Sequence, residues 1–95
     1  MVAIAPPAFV IDQTRTAPTL SLVGLNPAEA SIDAPQQKII QILKKHDIPY
    51  CDLTEPLRAG QKTQQMYFSA DGHWTVAGHQ VVADSILACL KTTTN

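Results

Sequence analysis

Two short apolar runs, Val2-Ala-Ile-Ala5 and Ile48-Pro-Tyr-Cys-Asp-Leu53, bracket a segment of helical periodicity, and few folds accept that order. Strand, helix, strand packs as a parallel pair joined by a right-handed crossover, because strand twist selects one hand for the return path. The expected class is therefore α/β with a short parallel sheet. The first run stops at Pro6-Pro7, as a strand does at its carboxyl edge. Within the crossover, Asp33 is placed to cap a helix with Pro35 in its first turn. Ile39, Ile40, Ile42 and Leu43 then recur on one side, while Gln36, Gln37, Lys38, Gln41, Lys44 and Lys45 face out. Lys44, Lys45 and His46 occupy the last turn, where positive charge suits the helix dipole.

After Leu53, Thr54-Glu-Pro56 ends the second strand, Leu57-Arg58 suits a helical turn, and Gln61 to Gln65 is a polar loop. Met66-Tyr-Phe68 returns to the core. A final helix is expected from about Thr75 to Leu90, with Val82, Ala83, Ile86, Leu87 and Leu90 as its buried stripe and Lys91 to Asn95 fraying. Residues 8–33 are irregular, punctuated by Pro18, Gly24 and Pro27, and Thr19 to Val23 reads as an added strand. A loop of that length is usually functional or an insertion.

Ninety-five residues suit one domain and leave no room for a second core. Seven basic residues against eight acidic ones give a net charge of -1, and the longest Lys/Arg cluster is Lys44-Lys45. That balance excludes an electrostatic footprint for nucleic acid or anionic membrane. No stretch approaches the roughly 18 to 20 continuous apolar residues of a membrane span. Met1 to Val10 lacks a basic leader and is broken by two prolines, so it does not read as a signal peptide. Cys51 and Cys89 have no C-x-x-C spacing and no neighbouring His/Cys cluster, and are expected as two buried free thiols rather than a disulfide or a metal pair.

The chemistry-bearing feature is Asp71-Gly-His73, a carboxylate and an imidazole two positions apart just before the final helix. A carboxylate beside a histidine fixes the imidazole tautomer and stabilises the imidazolium formed when the histidine takes a proton from a hydroxyl nucleophile. Gly72 would permit a tight turn with unusual dihedrals, bringing both side chains to one side at the carboxyl edge of the sheet. The same residues also suit a plain helix entry in which Asp71 caps backbone amides and His73 lies at the surface. His79 lies six residues after His73, off the spacing that puts two imidazoles on one helix face, so no metal site is expected. Asp52, Glu55 and Arg58 suit a local ion pair near the strand end, without chemistry.

The segment Tyr67-Phe-Ser-Ala-Asp-Gly-His-Trp-Thr-Val-Ala-Gly-His79, continued by Val81-Val-Ala-Asp-Ser-Ile-Leu87, resembles the carboxyl-terminal block of the SGNH/GDSL hydrolase superfamily. The region from Ile39 to Arg58 resembles the helix and last strand of that fold, and Val2 to Pro7 the strand before it. The resemblance implies part of a flavodoxin-like three-layer α/β/α domain, of which these residues would be the carboxyl-terminal portion. It also implies acyl transfer by an esterase or O-acyltransferase acting on an acyl ester or acylated carbohydrate, with no metal or organic cofactor. Carried over by position, Asp71 would orient, His73 would be the general base, Trp74 would wall the substrate site, and Gly78 would let the final helix pack closely. The Asp-x-His-Trp spacing is similar to the branch that includes alginate-type acetyltransferases, whereas the commoner family spacing is Asp-x-x-His. The family's Gly-Asp-Ser nucleophile block is not among these residues, since Ser21, Ser31, Ser69 and Ser85 lack that context. The nucleophile would come from an upstream segment or a partner, and the chain alone would be inactive. The alternative is a non-catalytic α/β module that self-associates through its open sheet edge.

Overall fold

The computed structural model describes residues 1–93, with side-chain surroundings for residues 1–92. Strands β1 (Val2–Ile4) and β2 (Tyr50–Asp52) pair in parallel, with Val2 opposite Tyr50, Ala3 opposite Cys51 and Ile4 opposite Asp52. The Val2 amide donates to the Pro49 carbonyl at 2.9 Å and the Leu53 amide to the Ile4 carbonyl at 3.1 Å. Among the described residues, five helices stand around this pair, α1 (Ala8–Ile11), α2 (Gln13–Leu22), α3 (Ala34–Lys45), α4 (Thr54–Gln61) and α5 (Val76–Thr93). The result is a partial α/β fold in which α5 lies on β2 and α4, and α1 lies on α4. Val10, Ile11, Cys51, Leu53, Leu57, Met66, Tyr67 and Val82 make its core.

Within the stretch expected to be irregular, residues 23–33 are irregular as expected, while residues 8–22 form the helix pair α1–α2, which replaces the strand expected at Thr19 to Val23. Asp12 is the reason. Its carboxylate accepts from the Thr14 amide at 3.1 Å and the Thr14 hydroxyl at 2.7 Å, capping α2 and stabilising a helix that Pro18 would otherwise disfavour. Leu20 is the residue of α2 that reaches the core.

The crossover helix α3 forms as expected and buries a different face. Leu43 is buried, but Ile39 and Ile42 are exposed and Gln36 is buried instead, its Oε1 without a hydrogen-bond partner among the described residues. Asp33 does not cap α3 with its side chain; its carboxylate pairs with Arg58 across the helix entry. Arg58 also pairs with Glu55 at 3.1 Å, and these two carboxylates hold the guanidinium above its ordinary pKa, Asp33 contributing most. Asp52 stays out of this ion-pair group. Its Oδ1 accepts from the Thr54 amide at 3.0 Å and the Thr54 hydroxyl at 2.6 Å, which starts α4 where a strand end was expected. Pro56 falls in the first turn of α4, where a missing N–H costs nothing.

In α5, Val82 is buried and Ile86 half-buried, but Ala83, Leu87 and Leu90 face outward, so the expected stripe is narrower and turned toward Val81, Ser85 and Cys89. Lys91 to Thr93 continue the helix rather than fray, and residues 94–95 lie outside the described residues. Cys51 and Cys89 are joined in a disulfide with their Cα atoms 5.9 Å apart, which corrects the expectation of free thiols. The inward turn of α5 that buries Val82 is what places Cys89 over β2.

The radius of gyration is 14.3 Å, against about 12.4 Å for a compact domain of this length. The Cα extents of 43 × 32 × 18 Å describe a flattened body, and Val2, Leu22, Leu25, Ile39, Ile42 and Ile48 are among the apolar side chains at its surface.

Candidate functional site

The Asp71/His73 segment is the tip of a short hairpin rather than a helix entry. Its sides are tied by an antiparallel bridge between Tyr67 and Trp74, with the Phe68 amide donating to the His73 carbonyl and the Thr75 amide to the Met66 carbonyl, each at 2.9 Å. Thr75 closes the base. Its hydroxyl donates to the Gln65 carbonyl at 2.6 Å and accepts from the Gly78 amide at 3.1 Å, so Thr75 and not Asp71 caps α5.

Core residues hold the hairpin from beneath. Met66 and Tyr67 are buried, and the Tyr67 hydroxyl donates to the Pro6 carbonyl at 2.7 Å, just beyond β1. Burial pushes that phenol above its ordinary pKa, with Trp74 acting in the opposite direction. Phe68, expected in the core, lies half in solvent at the start of the tip.

At the tip, Asp71 Oδ1 accepts from the His73 amide at 2.8 Å and lies 3.3 Å from His73 Nδ1. The amide bond is the main reason the Asp71 carboxyl sits below its ordinary range, with the His73 ring and Arg15 adding to the effect. With Nδ1 turned to Asp71, Nε2 is the ring nitrogen that faces away from the carboxylate. The imidazole is 87% exposed, so little besides Asp71 orients it. Gly72 keeps a negative φ and a Cβ there would meet open space, so the unusual dihedrals expected of it are absent.

Trp74 is half-buried and stands edge-on to His79, ring centroids 5.5 Å apart with planes at 85°. Together with Gly72 and His73 these two rings line an open depression of about 350 Å³. Gly78 is buried where a Cβ would fall 2.2 Å from the Met66 carbonyl oxygen, so the close packing expected at this position is present. Among the described residues no group of three His, Cys, Asp or Glu side chains converges to hold a metal ion. Among the described residues no helix is long and apolar enough to cross a membrane.

One residue escaped sequence reasoning. Arg15, at the start of α2, donates from Nη1 to the Asp71 carbonyl at 3.0 Å and from Nη2 to the Phe68 carbonyl. Its targets are backbone oxygens, which leave no trace in a residue pattern.

A family model, the SGNH hydrolase-like domain of the acetyltransferase AlgX, matches residues 14–95. The chain belongs to this family. The match takes in α2 from Thr14 onward, both sides of the hairpin and α5, and the partial α/β architecture agrees with an incomplete SGNH-like domain. No curated protein and no solved structure matches the chain significantly.

Proposed function

We propose that Asp71 and His73 are the orienting carboxylate and the general base of a Ser-His-Asp acyl-transfer site in an SGNH-like O-acyltransferase or esterase. The observation that carries this reading is the 3.3 Å approach of Asp71 Oδ1 to His73 Nδ1 in a chain of this family. Such a pair takes the proton of an attacking serine and returns it to the departing alcohol. The distance is longer than a tight hydrogen bond, as is common before substrate arrives. The serine and the donors that stabilise the oxyanion lie outside these residues, so the 95-residue chain alone is inactive and forms the carboxyl-terminal part of the working domain. Trp74 walls the substrate depression, and its ring beside His79 suits the apolar face of an acylated sugar. His73→Ala in the whole gene product should cut ester turnover by roughly 100-fold or more. An unchanged rate would reject the assignment. With the 95-residue chain alone, p-nitrophenyl acetate should disappear equally fast with wild type and His73→Ala.

A second reading rests on the open edges. Among the described residues each strand of the sheet pairs on one side only, and Met1, Val2 and Ile48 remain exposed beside it. Pairing of β1 with a second copy or with a segment supplying the missing strands would cover this edge. A strictly monomeric mass by light scattering at high protein concentration would exclude self-pairing.

A further inference from the structure

The tip of the hairpin has almost no packing of its own. Residues 68–73 are all exposed, and nothing apolar fixes the turn that carries Asp71 and His73. An unpacked turn would ordinarily sample many conformations. Two bonds within the turn, Phe68 to His73 and Asp71 to His73, define its shape without fastening it to the body of the domain.

Arg15 provides that fastening. Its side chain is only 21% exposed and each guanidinium nitrogen is engaged. Nε faces Asp12 Oδ2 at 3.2 Å, Nη1 donates to the Asp71 carbonyl and Nη2 to the Phe68 carbonyl. Asp12 is itself fixed by capping α2, so the guanidinium is held at its rear while its front edge takes one carbonyl from each end of the tip. A planar fork with several fixed donors can do this, and a lysine ammonium cannot reproduce it. We propose that Arg15 is a positioning residue that clamps the Asp71–His73 turn in the geometry a histidine base requires. It deepens the acyl-transfer reading by naming what holds that base in place, but the clamp is testable without any turnover.

The charged and titratable groups around the clamp are Asp12, Asp71 and His73, with His79 reached through Trp74. The test is nuclear magnetic resonance on the full chain, comparing wild type, Arg15→Ala and Arg15→Lys. Exchange of the His73 amide should quicken by roughly tenfold in both variants, the loss of two charge-assisted bonds to the turn. The His73 ring resonances should also lose the low-pH inflection through which they sense Asp71, a change that loosened packing elsewhere would not cause. Amides of β1 and β2 should keep their shifts. Millimolar methylguanidinium should restore the inflection in Arg15→Ala. Preservation of the inflection in Arg15→Lys would reduce the role to bare charge and overturn the clamp, as would its preservation in Arg15→Ala. Should His73→Ala leave turnover intact in the whole protein, the functional reading falls while these resonance results still decide the clamp.

Discussion

The α-carbon of Gly78 faces the Met66 carbonyl so closely that a Cβ at 78 would stand 2.2 Å from the oxygen, with Trp74 Cβ another 3.1 Å away. Backbone on one side and the base of the hairpin on the other leave nothing flexible to yield. Inside a helix, glycine to alanine ordinarily gains about 1 kcal/mol. Here the sign should reverse: Gly78→Ala is expected to lose about 1 to 3 kcal/mol by overpacking. Gly72→Ala, in open space six residues earlier, should stay within about 0.5 kcal/mol of wild type. Urea denaturation of the two variants checks the contrast.

The Cys51–Cys89 disulfide closes a loop across a sequence separation of 38. Loop-closure entropy for that length puts its contribution at about 4 kcal/mol. Replacing both cysteines by alanine should lower the denaturation midpoint accordingly, and excess reductant should weaken wild type without affecting the double variant. Equal stability of wild type with and without reductant would contradict the bridge.

Gln36 is 7% exposed and its Oε1 finds no partner among the described residues. A buried acceptor left unpaired costs about 1 to 3 kcal/mol, and methionine keeps the shape without the polar atoms. Gln36→Met should therefore raise the melting temperature. A lowered one would mean that the amide is satisfied in solution.

The Asp71 carboxyl is held below its ordinary value chiefly by the His73 amide. For an acid depressed in the folded state, the stabilising bond is fully present above the unfolded pKa and is lost as pH falls through the folded one. The His73 amide resonance should therefore titrate with a midpoint below the usual aspartate value of about 3.9. In Asp71→Asn that inflection should vanish.

The parts of the fold that could be read from residue order are those in which local preference and burial agree. Val2 to Ile4 and Tyr50 to Asp52 are apolar enough to be strands, and the isoleucine spacing of 39–43 is helical whichever face it buries. The face itself was not legible. Exposed Ile39 and buried Gln36 depend on where neighbouring elements stand, and the same holds for Leu87 and Leu90 in α5. The stretch from Ala8 to Leu22 misled because Pro18 and scattered threonines argue against a helix, while the Asp12 cap that favours one occupies only two positions. Cysteine spacing likewise carries no proximity, so the bridge between residues 51 and 89 could not be foreseen. Asp71 and His73 were visible because both atoms of their contact belong to one turn. Arg15 was not, because it acts from 56 residues away.

The disulfide also sets the order in which the molecule can come apart. Residues 51 to 89 form a closed ring that contains α4, the hairpin and most of α5, so these pieces stay neighbours even when their contacts are broken. Residues 1 to 50 have no such tether and can peel away as a strip. Arg15 leaves with that strip, while Asp71 and His73 remain in the ring. Partial melting would then separate the turn from its guanidinium before the ring itself is lost.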